Sequence, residues 1–178
     1  MSAIETLTTA IPAGTWKIDP AHSRVEFSIR HMGIATIRGS FADFDGVIDG
    51  GDEPHVSGAI RVASVDTRDE ARDGHLQSPD FFDAERYPEI TFASTRLEPG
   101  KVVGDLTIRG ITREVELAAA VTGAGTDPWC NERLGLELEG EIDRHDFGVS
   151  WNTPLPTGGL LLGDTVRLTA GFSAVKEA

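Results

Sequence analysis

The stretch Arg133-Leu134-Gly135-Leu136-Glu137-Leu138-Glu139-Gly140-Glu141-Ile142-Asp143 decides the fold. Leu134, Leu136, Leu138 and Ile142 fall on one side of a period of two, and Arg133, Glu137, Glu139, Glu141 and Asp143 on the other. Side chains of a strand alternate between two faces, so this pattern predicts an antiparallel strand with one face in the core and one in water. The same alternation recurs at Val25, Phe27, Ile29 and His31, at Val115, Leu117, Ala119 and Val121, and at Val166, Leu168, Ala170 and Phe172. Shorter runs at 60–62, 90–92 and 106–108 follow it. Asp49-Gly50-Gly51-Asp52, Glu98-Pro99-Gly100-Lys101 and Arg109-Gly110-Ile111 supply the turns between runs. The count is about eight or nine strands. A sheet polar on one face must pack its apolar face on a second sheet or close on itself.

The chain has 178 residues, the length of one domain. We expect a flexible tail over 1–14 and a single β-domain over 15–178. With 29 acidic against 16 basic residues the net charge is −13, which argues against nucleic acid as a partner. Cys130 is the only cysteine, so an internal disulfide or a cysteine zinc cage is excluded. The N-terminal segment carries Glu5 and several threonines, with neither a basic start nor an apolar run, and no run elsewhere reaches membrane-spanning length. The expectation is a cytoplasmic protein without stable membrane insertion.

One stretch, from Thr67 to Tyr87, leaves the strand rhythm. Thr67 and Glu70 match a capping box, which predicts a helix from Arg68 to about Leu76. Ser78-Pro79 predicts a second, shorter helical turn carrying Phe81 and Phe82. Neighbours on such a turn diverge by about 100°, so the two rings are expected to face different surroundings. Arg72 and Asp73 read as structural anchors of the helix. Signatures of nucleophilic, phosphate-binding or zinc-protease sites are missing, and the five histidines are scattered. His31 is the one that falls inward by alternation, where a lone histidine reads as structural filling rather than as a metal ligand. No metal and no cofactor are expected.

A sequence-wide resemblance sharpens this. The opening Trp16-Lys17-Ile18-Asp19-Pro20-Ala21-His22-Ser23-Arg24-Val25-Glu26-Phe27 resembles the start of the YceI-like family of polyisoprenoid-binding, lipocalin-like proteins. His31-Met32-Gly33, Gly39-Ser40-Phe41, Phe44-Asp45-Gly46, Arg72-Asp73-Gly74-His75-Leu76 and Asp80-Phe81-Phe82-Asp83 continue it in order. Tyr87-Pro88-Glu89-Ile90-Thr91-Phe92, the stretch from Gly104 to Thr112, and Arg144-His145-Asp146-Phe147-Gly148 complete it. The resemblance implies an all-β fold, an extended eight-stranded antiparallel barrel with one short helical insertion at about 67–87. It also implies a hydrophobic tunnel for a polyprenyl chain, an isoprenoid quinone or a fatty-acid-like lipid, no general catalytic activity, and a homodimer. Trp129, in the turn Asp127-Pro128-Trp129-Cys130, is the candidate dimer contact.

An eight-stranded barrel is wide enough either to fill with side chains or to hold one slim ligand. Small residues expected inward, Ala119, Ala170, Ala174 and Ala59, favour the tunnel. The leading reading is therefore a non-enzymatic carrier of a long, non-covalently bound isoprenoid lipid. Its ligand-binding residues would be Phe27, Ile29, Phe92, Leu106 and Ile108 along the wall, and Phe41, Leu76, Phe81 and Phe82 near one end. His31 and Arg72 would meet the oxygen of a head group. Two alternatives stand beside it: an enzyme with His31 or Asp73 as acid–base, and a packed barrel serving as a stress or interaction protein.

Overall fold

A computed structural model of the chain describes residues 11–98 and 100–178. Its strands are β1 (Gly14–Ile18), β2 (Arg24–His31), β3 (Ala35–Phe41), β4 (Phe44–Gly50), β5 (His55–Arg61) and β6 (Val65–Asp66), followed by β7 (Glu89–Glu98), β8 (Lys101–Ile108), β9 (Ile111–Thr126), β10 (Glu132–Asp143) and β11 (Leu162–Lys176). One α-helix, α1 (Glu70–Gln77), lies between β6 and β7.

These segments make a closed antiparallel barrel of eight strands, because three pairs of them run end to end. β1 and β2 both pair with β11, which closes the ring, and they are separated by the turn at Pro20. Proline has no N–H for a ladder, and Asp19 instead accepts a hydrogen bond from the Ala21 N–H, so the strand kinks there and resumes. β3 and β4 likewise form one bent strand against β2 and β1, and β5 and β6 another. The rest is an up-and-down meander through β7, β8, β9, β10 and β11. The β8–β9 connection is the expected two-residue turn, with φ of +52° at Arg109 and +71° at Gly110.

Residues 1–10 of the expected tail lie outside the described residues. From Ile11 on the chain is not loose. Ile11 is 3% exposed in the core, the Trp16 indole N–H donates to the Pro12 carbonyl, and Gly14 pairs with Gly50. The packed region therefore starts before residue 15, since burying Ile11 against the Trp16 end stabilises that segment.

Two apolar clusters fill the barrel unequally. One surrounds Trp16, with Ile48, Val102, Leu134, Leu136 and Ala174 at 0–2% exposure. The other sits under α1 and gathers Phe41, Val62, Phe81, Ile108 and Phe147. Val25, Ile60, Phe92 and Leu168 touch both clusters, yet each is only partly buried. They border the space between the two cores.

Candidate functional site

That space is a cavity of about 350 Å³ inside the barrel. Its openness depends on where the aromatic rings go. Phe27 lies opposite Gly39 in the β2–β3 ladder, and its ring occupies the place where a Gly39 side chain would stand. On the other wall, a Cβ on Gly104 would fall 2.6 Å from Cζ of Phe92. The tips of both rings thus lie over inward-facing glycines and border the cavity. Of the small residues expected to make room, Ala170 and Ala59 border the cavity, whereas Ala119 and Ala174 are packed into the Trp16 cluster.

Phe27, Ile29, His31, Phe41, Leu76, Phe81, Phe82, Phe92, Leu106 and Ile108 all border this cavity, brought together from β2, β3, α1 and its following turn, β7 and β8. Arg72 borders it too, and Asp73 does not.

The helical insertion is built differently from the expectation. Thr67 is not the N-cap. α1 begins at Glu70 with Asp69 as its cap, whose carboxylate accepts from the Arg72 N–H at 3.0 Å. Arg68 stands at φ +64°, which is outside any helix. Thr67, 4% exposed, is instead the anchor point. Its N–H and hydroxyl both donate to Asp73 Oδ1, at 2.8 and 2.6 Å. Arg72 donates through Nε to the Thr67 hydroxyl oxygen and through Nη2 to its carbonyl, at 2.8 and 2.7 Å. Of the capping-box pair, Thr67 is committed to this clamp, and Glu70 is the first residue of the helix.

The segment after α1 also differs. Ser78 closes the helix, donating to the His75 carbonyl, and the Phe82 N–H turns back to the Leu76 carbonyl. Asp83, at φ +52°, donates its N–H to the Ser78 carbonyl. This is a compact turn rather than a helical one, so Phe81 and Phe82 both reach the cavity, contrary to the expected divergence. Phe81 packs edge-on to His75 (5.0 Å between centroids) and against Trp151 (5.4 Å), while Phe82 meets Phe41 edge-on at 6.0 Å. Arg109 ties the turn to the barrel by donating to the Phe81 carbonyl at 2.9 Å.

Sequence reasoning gave no role to Trp151 or Arg144, both on the cavity's border. Trp151 lies in an irregular connection, where periodicity says nothing. Arg144 is 3% exposed and donates to the carbonyls of Gly163, Val149 and Trp151, leaving Nη2 without a partner among the described residues. Burial pushes its guanidinium below the ordinary arginine value, opposed by the charges of Asp164 and Asp143. The basic groups on the border, His31, Arg72, His75 and Arg144, are set among apolar walls. Glu26, Asp45 and Glu139 also touch the border, but they are exposed and pair with Arg24, Arg61 and Arg167. No three His, Cys, Asp or Glu side chains converge on a common point among the described residues. The arrangement can surround a chain of hydrocarbon.

The comparisons with known proteins agree with this architecture. The model of the YceI-like domain matches residues 16–174. A UPF0312 protein of Staphylococcus aureus (strain MSSA476) is 37% identical over 157 residues, covering 85% of this chain and 92% of the relative. The crystal structure of a Campylobacter jejuni YceI protein is similar at 33% identity and a TM-score of 0.72, over 84% of this chain and 90% of that one. A polyisoprenoid-binding domain from Saccharophagus degradans shares the fold at 13% identity and a TM-score of 0.73, over 93% of this chain and all of the other. With a packed Trp16 end, a helix-closed far end and a matching family model over nearly its whole length, the chain belongs to the YceI-like family.

Proposed function

We propose that the protein binds a long-chain apolar lipid, a polyisoprenoid or isoprenoid quinone, in the barrel cavity and carries or stores it without transforming it. The observation that carries this reading is the folding of Phe27 and Phe92 onto Gly39 and Gly104. A barrel selected only for stability would fill its lumen with those rings, whereas here the lumen is kept open and apolar. The polyisoprenoid-binding domain of the same fold lends support at the level of ligand class. Each methylene transferred from water into such a lumen contributes roughly 0.8 kcal/mol, so a chain of about ten buried carbons binds without a charged anchor. Phe27, Ile29, Phe92, Leu106 and Ile108 would hold the chain. Phe41, Leu76, Phe81 and Phe82 would close the end, and His31 and Arg72 would meet a head-group oxygen.

An enzymatic reading is supported less well, because the Asp73 carboxylate is taken up by Thr67 and lies off the cavity's border. We also place a homodimer contact at Trp129, which is 78% exposed in the β9–β10 turn. Light scattering on wild type and Trp129→Ala tests it. A monomeric mass for the wild type would reject the dimer.

The ligand is tested by native mass spectrometry of the purified protein, followed by organic extraction and identification of what is released. A stoichiometric prenyl lipid is the expected result. A protein that carries nothing and takes up no prenyl alcohol or quinone would overturn the carrier reading.

A further inference from the structure

Among the described residues, three of the four large exposed apolar side chains sit beside the cavity's border: Ile34 at 77%, Leu160 at 55% and Met32 at 44%. The fourth is Trp129, at the far end of β10. Met32 and Ile34 form the tip of the β2–β3 hairpin, whose turn is fixed by positive φ at Met32 and Gly33. Leu160 lies on the connection before β11. The Met32 N–H donates to the Leu161 carbonyl at 2.7 Å, so the two loops form one ridge. His31 and Leu161, the chain neighbours of Met32 and Leu160, border the cavity, as does Ile37 on the same hairpin.

Two arginines without an ion pair among the described residues stand behind the ridge. Arg30 and Arg38 project from the outer face of the same hairpin, both exposed. Arg30 braces the turn by donating to the Gly33 carbonyl and the Thr36 hydroxyl. Neither arginine has a carboxylate within ion-pair distance among the described residues, as is also true of the exposed Arg68 and Arg113, whereas Arg24, Arg61, Arg96, Arg133 and Arg167 are paired. In a chain of net charge −13 this is a local cationic collar below apolar tips. With the apolar apex at the acyl boundary, the arginines one layer behind stand at the depth of the phosphates, which lie outside the acyl chains. Three separate tips do not supply the roughly 800 Å² per partner that a stable protein interface needs.

We propose that this ridge docks on a lipid bilayer, with Met32, Ile34 and Leu160 at the acyl boundary and Arg30 and Arg38 at the phosphates, so that the cavity's border meets the membrane that supplies its ligand. The docking rests on the carrier reading for its purpose, and it is shallow and reversible. The net negative charge of the rest of the molecule opposes docking only within about 8 Å of the bilayer, because at physiological salt its field is screened beyond that distance.

The test is flotation of the full chain with phosphatidylcholine vesicles containing a minority of phosphatidylglycerol, at physiological salt, beside titration with farnesol in the absence of vesicles. The wild type is expected to float. Ile34→Glu with Leu160→Glu is expected to cut the vesicle-bound fraction about tenfold and to leave farnesol affinity unchanged. Arg30→Gln with Arg38→Gln is expected to weaken flotation less. A wild type that stays with the free protein, a double glutamate variant that floats equally well, or light scattering that shows the ridge covered by a second copy would each overturn the docking. A wild type that floats but takes up no farnesol supports the docking and overturns the carrier reading.

Discussion

At the scale of single residues, Gly39 matters through the side chain it lacks. It lies in the ladder opposite Phe27, and the Phe27 ring rests on it. Gly39→Val is expected to lift that ring into the lumen, at a cost of about 1–3 kcal/mol for overpacking. The more telling result would be lost lipid retention in a protein that still folds. Retention equal to wild type would show that the ring does not guard the space. Arg133 is a second residue with a directed consequence. It donates to Asp127 at 2.8 Å and to Asp19 at 3.0 Å. Asp127 is held below the usual carboxylate range chiefly by Arg133, and Asp19 by His22 first and Arg133 second. A carboxyl whose pKa is lower folded than unfolded contributes stability that is complete above about pH 4 and is lost as pH falls towards the folded value. Arg133→Met should therefore lower stability most near neutral pH and move the acid-unfolding midpoint upwards, measured by circular dichroism against pH, with the difference from wild type shrinking as pH falls below about 4. An unchanged midpoint would show that the arginine does not stabilise the charged carboxylates.

At the scale of elements, the insertion between β6 and β7 divides its two phenylalanines by packing rather than by direction. Phe81 is 7% exposed and part of the core cluster under α1, while Phe82 is only partly buried against Phe41. Phe81→Ala is expected to cost about 3–5 kcal/mol, as for other buried phenylalanines. Phe82→Ala should weaken lipid retention with little change in melting temperature. Equal retention in both variants would make the segment a plug without contact to the ligand. These elements also show what was readable beforehand. Strand alternation located β2, β9, β10 and β11 because burial on one face writes a period of two into the sequence. The five wall positions, the four near one end and His31 came from that period and from the family's motifs, and the structure places all ten on the cavity's border. The cap of α1 did not follow, since Thr67 and Asp69 both fit the local rule, and only the tertiary clamp through Arg72 and Asp73 distinguishes them. Trp151 and Arg144 had no local signal, for one lies in an irregular segment and the other acts on carbonyls of that same segment. Nor does a sequence show that a ring lies on a glycine two strands' worth of chain away.

At the scale of the whole molecule, a cavity of about 350 Å³ lies between the Trp16 cluster at the base of the barrel and the cluster beside α1 and its turn. A lumen closed at its base sets a length for what it holds. Along a homologous series of prenyl alcohols or quinones, affinity should first rise steeply, because each added methylene removed from water contributes roughly 0.8 kcal/mol, or about fourfold in affinity. The rise should stop once the chain meets the Trp16 cluster, whose members are too closely packed to yield without repacking cost. Beyond that length further carbons remain outside and add little. Enlarging the base is the control: Trp16→Phe should move the plateau to longer chains if the base sets the limit. A titration series in which affinity ignores chain length would mean that binding rests on the head group at His31 and Arg72. A plateau that stays in place in Trp16→Phe would mean that the limit lies at the α1 end, where Phe41 and Phe82 meet.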